Sequence, residues 1–203
     1  MPEFYHDLIT EKSFKVLQDL KKKFDFILIG GWAIYLYTKA LKSKDIDIII
    51  DYDELEKFKR EFEIFKNERL KKYEIKTEEI DIDIYLPYFS DLKFPLEKIK
   101  DHIQSIEGFK VPIPEILLIL KVATYFERRG TTKGEKDFLD IFTLIKNEKI
   151  DWQKYKELIE KYRLKEINQK LKKIISFAKS IHQLNLLNHQ ISRLKKKILE
   201  EIE

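Results

Sequence analysis

The sequence predicts an α+β protein, in which a small mixed β-sheet flanked by helices is followed by a C-terminal helical bundle. Short β-branched or alternating apolar runs lie before Pro114, whereas long apolar and amphipathic stretches with helical spacing follow it. Of the 203 residues, 43% are hydrophobic, which is enough to build a core. We therefore expect an α/β core over residues 1–112 and a helical domain over residues 113–203.

In the first half, strands and helices alternate. Pro87 ends the last strong strand, because a proline cannot continue a β-ladder. Strands are predicted over residues 26–29, 42–51, 79–86, around 73–75 and at 109–111. Helices are predicted over residues 14–24, 32–41 and 54–65, the last with Asp53 as its N-cap.

In the second half the sequence predicts helices over residues 115–129, 136–147 and 152–163, with Asp151 capping the third. Residues 130–136 are predicted to form a polar loop that contains Lys133 and Lys136, with Thr132 and Glu135 forming a capping box. The segment from Leu164 onward predicts either two helices or one interrupted helix.

Composition excludes several classes of site. The chain has no cysteine, so it has no thiolate metal ligand and no thiol nucleophile. Its four histidines are scattered, and we expect no zinc site. The net charge of +4 is too small to indicate nucleic-acid binding, but the segment after Leu164 holds nine basic and four acidic residues. A solvated helix face is the simplest interpretation of this basic tail, and an RNA-binding surface is a lesser option.

Two pairs of aspartates carry the strongest chemical signal. Asp45 and Asp47 lie two apart on one predicted strand, as Asp81 and Asp83 do on another. Side chains two apart on a strand point to the same face, so each pair places two carboxylates together. Such carboxylates repel each other unless a cation accompanies them, and Mg²⁺ is the cation that suits oxygen ligands and phosphates. The alternative is a solvated or charge-guarded edge strand.

The adjacent glycines Gly30 and Gly31 end a predicted strand and open a predicted helix. Backbone amides at a helix N-terminus can bind a phosphate, and glycine lets that phosphate approach closely. The alternative is an ordinary tight turn between a strand and a helix.

Lys121 interrupts a nearly unbroken apolar helix and lies seven residues, or two helical turns, before Arg128. Burial of an ammonium without a partner is costly, so Lys121 is predicted either to extend its charged end to solvent or to have an anionic partner, which a phosphate or Asp137 would supply equally well. Asp137 and Asp140 lie three apart on one helical face. Asp137 is predicted either to orient Lys121 or Arg128, to act as a base, or to form a routine ion pair.

These motifs together resemble the nucleotidyltransferase superfamily with the DNA-polymerase-β-like core. The resemblance is carried by GGWAIYLYTKALKSKDIDI, residues 30–48, by the K-x6-R spacing of Lys121 and Arg128, and by Lys136-Asp137. It covers roughly residues 26–144. The helical half is similar to AbiEii-type and related minimal nucleotidyltransferases, whose members include toxins and antitoxins.

The resemblance implies a role for each matching residue. Asp45 and Asp47 would bind the metal with Asp83 or Asp81 as the third carboxylate, Asp83 being favoured. The residues implied to contact the nucleotide are Gly30, Gly31, Ser43, Lys121, Arg128 and Asp137. Many relatives carry serine where this chain has Gly31, so a hydroxyl that contacts the phosphate would be missing here.

The expected activity is transfer of a nucleoside monophosphate from an NTP such as ATP to a protein or RNA acceptor, including tRNA, with one or two Mg²⁺ ions and release of pyrophosphate. The alternative is a non-catalytic partner in a toxin–antitoxin pair that keeps the fold. We expect no DNA or membrane partner. The N-terminal residues lack the apolar stretch of a signal peptide, and a cytoplasmic location is expected.

Overall fold

A computed structural model describes residues 7–147 and 149–202. The chain forms two compact units, of which one ends at Ile113 and the other begins at Pro114. The helices within the described ranges include none that is long and apolar enough to cross a membrane. The predicted α+β class is confirmed, because the first unit holds a mixed sheet with helices and the second is helical.

Within the described residues of the first unit, seven strands form a single sheet. Their spatial order is β3-β4-β5-β2-β1-β7-β6. The strands are β1 (Ile27–Ile29), β2 (Ile46–Ile49), β3 (Phe65–Asn67), β4 (Lys72–Lys76), β5 (Asp81–Tyr85), β6 (Ile103–Ile106) and β7 (Phe109–Pro112). The sheet is mixed: β2 runs parallel to β5 and β1 parallel to β7, whereas the other neighbouring pairs are antiparallel.

The centre of the sheet is apolar because its strands are rich in isoleucine, whose branched side chain packs well on a pleated surface. Ile46, Ile48, Ile82 and Ile84 are almost fully buried. They belong to β2 and β5, which pair in register from Ile46 opposite Ile82 to Ile49 opposite Tyr85. This register fixes which polar residues of the two strands face one another.

Helices complete the first unit. They are α1 (Asp7–Lys23), α2 (Gly30–Thr38), α3 (Tyr52–Glu61) and a 3₁₀ helix over Leu96–His102. The indole of Trp32 on α2 is buried and donates a hydrogen bond of 2.9 Å to the Ser13 hydroxyl on α1. That bond satisfies a polar group that would otherwise be costly to bury.

The second unit contains five α-helices within the described residues. They are α4 (Pro114–Arg128), α5 (Thr132–Lys146), α6 (Trp152–Lys161), α7 (Lys165–Phe177) and α8 (Asn188–Glu201). Asp151 caps α6, as predicted, by accepting a hydrogen bond from the amide of Lys154. The segment after Leu164 forms two separate helices, α7 and α8, rather than one interrupted helix. A β-bridge between Ile181 and Leu186 closes a turn between them.

Two predicted caps are wrong by one or two positions. Asp51, not Asp53, caps α3, because its extended backbone places a carboxylate oxygen 3.0 Å from the amide of Glu54. Thr131, not Thr132, caps α5 by accepting from the amide of Gly134.

The loop predicted before α5 is mostly helix, and Lys133 and Lys136 lie within α5. Glycine at position 134 makes the early start possible: a β-carbon there would lie 2.2 Å from the carbonyl oxygen of Arg128. The two outermost strands, β3 and β6, are absent from the prediction, because each is a short edge strand that contains polar residues.

Candidate active site

The carboxylates of Asp47 and Asp83 are brought to neighbouring strands. Asp47 on β2 pairs in register with Asp83 on β5. Directly opposed residues on paired strands share a face of the sheet, so the parallel β2–β5 pair places two acidic residues side by side. The register thus places Asp83, rather than Asp81, directly opposite Asp47.

Asp45 lies two residues before Asp47, and Asp81 lies two residues before Asp83, toward the N-terminal ends of the two strands. Asp81 is the first residue of β5 and shares a face with Asp83 by alternation. Asp45 was predicted to lie on a strand but lies in a bend just before β2. Both are half-buried, whereas Asp83 is only 6% exposed. The carboxylates therefore range from partly solvated to deeply buried.

The position of Asp47 explains why residue 30, the first of the two adjacent glycines, has no side chain. Gly30 has a φ of +67°, and a β-carbon on it would lie 2.1 Å from the Oδ2 atom of Asp47. A side chain at position 30 would thus be strained by the backbone and would collide with the carboxylate. The glycine couples the start of α2 to the carboxylate on β2.

The N-terminus of α2 is the predicted phosphate turn. Its N-cap residue is Ile29, which offers no side chain to cap the helix. The first amides of a helix have no intrahelical partner, and without a side-chain cap they remain suited to an anion. Gly31 lies buried in this first turn, and Ser43 is buried in the connection between α2 and β2.

Asp83 takes part in a buried network with two residues of β4. The ammonium of Lys72 lies 2.6 Å from Asp83 Oδ2 and 2.9 Å from Glu74 Oε1. The side chains of all three are about one-tenth exposed or less. A lysine buried in this way is stabilised because two carboxylates compensate its charge.

The network shifts the pKa values of its members. Burial by itself would lower the pKa of Lys72, but the hydrogen bonds and charges of Asp83 and Glu74 outweigh it, and the pKa is raised. Burial would raise the pKa of Glu74, yet the bond to Lys72 lowers it below its usual value. At neutral pH the network therefore holds one ammonium between carboxylates.

Tyr85 lies on the same face as Asp83, two residues further along β5. Its hydroxyl donates a weak hydrogen bond of 3.4 Å to Asp47 Oδ1. The hydroxyl therefore orients the Oδ1 atom of Asp47, whereas the Oδ2 atom lies beside Gly30.

The donor set suits Mg²⁺, which prefers carboxylate oxygens. Within residues 7–147 and 149–202, no three acidic or histidine side chains are gathered into a ready-made metal site. A ready-made cage is not what Mg²⁺ requires, because it keeps several waters and is commonly held by one or two carboxylates together with substrate phosphates. Asp45 and Asp47 are the residues that would hold Mg²⁺. Asp83 would become a further ligand if the metal replaced Lys72 as the partner of its carboxylate.

In the second unit the structure brings Lys121, Arg128 and Asp137 together. Lys121 Nζ lies 2.6 Å from Asp137 Oδ1 and 2.9 Å from Asp140 Oδ2. Arg128 Nη1 lies 3.8 Å from Asp137 Oδ2, and Lys136 Nζ lies 2.5 Å from Asp140 Oδ1. These five residues, which we call the ionic cluster, join α4 to α5 and carry three cations and two anions.

Burial and charge oppose each other within the ionic cluster. Burial alone would lower the pKa of Lys121, but the charges of Asp137 and Asp140 raise it well above its ordinary value. Burial would raise the pKa of Asp140, whereas Lys121 and Lys136 lower it. Burial lowers the pKa of Lys136, since Asp140 compensates it only in part. Asp137 thus serves as the anionic partner of Lys121 that the sequence offered as one option.

Lys72, Glu74 and Tyr85 are functional candidates that the sequence did not single out. The spacing of Lys72 and Glu74, two apart on a strand, is the same signal that identified the aspartates. It escapes notice because a charged pair on a strand usually faces solvent, and only the pairing of β4 with β5 buries it beside Asp83.

Comparison with known proteins gives similarities of structure. No protein-family model matches the chain, and no curated protein matches it. A solved structure of JHP933 from Helicobacter pylori is similar with a TM-score of 0.52 and 18% identity, over 96% of this chain and 92% of that one. This similarity is one of fold.

Two further structures are more distant. An antigenic nucleotidyltransferase-like protein from Paracoccidioides brasiliensis has a TM-score of 0.43 and 18% identity, over 81% of this chain and 92% of that one. The Megavirus polyadenylate synthase has a TM-score of 0.48 and 19% identity, over 70% of this chain and 32% of that one. Of the three, only the Helicobacter pylori structure exceeds a TM-score of 0.5 over nearly the whole of both chains.

Proposed function

We propose that the protein is a Mg²⁺-dependent nucleotidyltransferase that transfers a nucleoside monophosphate from an NTP to a hydroxyl of a protein or RNA. The observation that carries the proposal is the meeting of Asp47, Asp83 and Gly30. Two acidic residues are paired on neighbouring strands, and one of them lies against the glycine that opens a helix without a side-chain cap. Carboxylates of the kind that bind Mg²⁺ and a helix start of the kind that binds phosphate are thereby adjacent, which supports the proposal.

In the proposed reaction the oxygen of the acceptor hydroxyl forms a bond to the α-phosphorus. The bond from that phosphorus to the bridging oxygen breaks, and pyrophosphate leaves with the electron pair. Asp45 and Asp47 would hold the metal ion near the reacting end of the triphosphate, and the amides at the start of α2 would bind phosphate oxygens. When bound, Mg²⁺ supplies positive charge to the phosphates and to the attacking oxygen.

The proton of the acceptor hydroxyl needs a base. Asp83 would be suited to accept it once the ammonium of Lys72, which lies 2.6 Å from its Oδ2 atom, moves toward the negative phosphates of a bound substrate. The predicted roles of Ser43, Lys121, Arg128 and Asp137 toward the nucleotide remain predictions, as do the choice of ATP and a cytoplasmic location.

A second candidate is a non-catalytic partner of a toxin–antitoxin pair that keeps the fold. One observation favours it: the ammonium of Lys72 neutralises Asp83 at 2.6 Å. A lysine in that place reduces the negative charge that a metal would otherwise be drawn to. The two candidates differ in whether the protein turns over an NTP.

The test is incubation with each α-labelled NTP and Mg²⁺, in the presence of total RNA or of a protein fraction, followed by detection of labelled macromolecules. We expect label in wild type, and none after chelation of the metal or in Asp45→Asn/Asp47→Asn. Asp53→Asn is the matched control, because Asp53 is exposed on α3 and should label as wild type does. Calorimetric titration with Mg²⁺ and NTP gives a readout that does not depend on turnover.

Nucleotide binding that is equal in wild type and in Asp45→Asn/Asp47→Asn, with no label in either, would reject the enzyme and the site together. Metal-dependent NTP binding without label in any fraction would favour the non-catalytic candidate.

A further inference from the structure

The helical unit has a cavity of about 210 Å³ whose wall is largely aromatic. Tyr125 and Phe126 come from α4, Phe138 from α5 and Phe177 from the last turn of α7. It is smaller than the ~300–1,000 Å³ of typical ligand pockets, so it fits a single planar ring better than a whole cofactor.

None of the four aromatic side chains in this wall is fully buried. Phe177 is 79% exposed, and the other three aromatic side chains are half-buried. Tyr125 lies edge-on to Phe126, with ring centroids 5.5 Å apart, and 5.9 Å from Phe138. A phenylalanine left in water forgoes the stabilisation that burial of its ring would give, so a grouped set of such rings indicates a contact surface.

The rim of the cavity is basic. Arg129 and Lys173 line it, both exposed, and none of the described residues that line it is acidic. Lys170 lies 5.6 Å from the centroid of the Phe126 ring. A ring of π-faces with cations around it favours a ligand that is planar in one part and anionic in another.

The basic character continues along α7. A second cavity of about 300 Å³ is lined by Lys165 and Lys172 of α7 and by Lys156 of α6, with Glu160 as its one acidic residue. The same helix thus contributes cations to the rims of both cavities. We call the aromatic cavity together with the cations beside it, Arg129, Lys170 and Lys173, the α7 surface.

We propose that the α7 surface binds a single-stranded polynucleotide, with one base stacked against Phe177 in the aromatic cavity and phosphates along the lysines. Single-strand-binding proteins combine these two elements, because every base offers a π-face and every nucleotide carries a phosphate. A base in a duplex is already stacked and cannot enter the cavity. This inference concerns binding and stands whether or not the protein transfers nucleotides.

The test measures fluorescence anisotropy of labelled single-stranded RNA and DNA oligonucleotides of the same mixed sequence, and of the corresponding duplex, over a range of salt concentrations. We expect wild type to bind the single strands and to prefer them to the duplex; the more tightly bound strand identifies the sugar. Phe177→Ala should weaken binding about tenfold, within the range that loss of one stacked base gives. Because Phe177 is exposed, the variant should keep the wild-type melting temperature.

A charge variant tests the second element. Arg129→Ala/Lys173→Ala should weaken binding and reduce the slope of log affinity against log salt by about 1.4, since each phosphate contact to a single strand contributes ~0.7. Arg193→Ala/Lys196→Ala is the matched control, as it removes one exposed arginine and one exposed lysine from α8 of the same unit. It should leave the slope near that of wild type.

Each of four results would overturn the proposal. The first is the absence of single-strand binding at low salt, and the second is duplex binding as tight as single-strand binding. The third is equal affinity of wild type, Phe177→Ala and Arg129→Ala/Lys173→Ala. If Phe177→Ala instead dissociates a dimer in sedimentation without changing oligonucleotide affinity, the α7 surface is a self-association interface and the proposal is wrong.

Discussion

Replacement of Lys121 by methionine tests whether the ionic cluster joins α4 to α5. Methionine keeps the length and the apolar stem of lysine while removing its ammonium. In the wild-type protein that ammonium lies within 2.9 Å of oxygens of Asp137 and Asp140, whose side chains are 3% and 0% exposed. The variant leaves Asp140 with Lys136, and Asp137 with Arg128 at 3.8 Å.

The expected loss follows from the burial of these carboxylates. Removing one partner of a buried ion pair costs about 3–5 kcal/mol, because the remaining charge stays in a poorly solvated place. That is a large part of the ~5–15 kcal/mol by which a domain is stable. For a domain the size of the helical unit each kcal/mol corresponds to ~4–8 °C, so the melting temperature should fall by ~12 °C or more.

The sign of the pH dependence can be stated in advance. The lowered pKa of Asp140 gives stability that is present above its unfolded value of 3.8 and is lost as the pH falls through the folded value. Without Lys121, only Lys136 opposes the effect of burial on Asp140, so the folded pKa of Asp140 rises. The stability difference between wild type and Lys121→Met should therefore narrow as the pH falls from 7 toward 4.

The assay is urea unfolding followed by circular dichroism, with hydrogen exchange of peptides from α4 and α5 to locate the loss. Lys196→Met is the matched control, since Lys196 is exposed on α8 and should change stability by less than about 0.5 kcal/mol. Lys121→Met/Asp137→Leu should recover part of the loss, because the whole pair is then replaced by apolar groups. If the free energy of unfolding of Lys121→Met lies within about 1 kcal/mol of the wild-type value, and hydrogen exchange in α4 and α5 is unchanged, the ionic cluster does not hold these two helices together.

Three more predictions concern the first unit. Gly30→Ala should displace Asp47 and reduce Mg²⁺ affinity in calorimetry, because the position has a φ of +67° and the new β-carbon would meet the carboxylate; unchanged affinity would contradict the coupling. Lys72→Met should lower stability by about 3–5 kcal/mol, yet Mg²⁺ should raise its melting temperature more than that of wild type, because Asp83 is released. An equal rise in melting temperature with Mg²⁺ in wild type and Lys72→Met would contradict the inference that the Lys72 ammonium competes with the metal for Asp83. The raised pKa of Lys72 gives stability that is fully present below the unfolded value of 10.5 and is lost as the pH rises through the folded value. Thermal melts at alkaline pH should therefore show a decline in wild type that Lys72→Met lacks.

Much of the fold was predictable because local patterns agreed with it. Apolar runs that end at glycine or proline indicated β1 and β5, and Lys121 in an apolar helix indicated a buried partner. The errors arose where a choice between neighbouring residues depended on backbone conformation. Asp51 rather than Asp53 caps α3 because the chain is extended at Asp51, and no pattern of residue types states that.

The amino-acid pattern was enough to identify the candidate residues: aspartates two apart, a glycine pair at a strand end, and a lysine seven residues before an arginine. Periodicity within one element is a local property, so the sequence can express it. Which of these residues meet depends on tertiary contacts. The β2–β5 register places Asp47 opposite Asp83, and β4 adds Lys72.

Contacts of this kind depend on strand order and register, which are set by the packing of the whole sheet rather than by any one segment. Gly30 shows both contributions. The sequence indicates a turn from a strand to a helix at Gly30, and the structure supplies the reason for a glycine there, which is the carboxylate of Asp47 in the space a β-carbon would occupy.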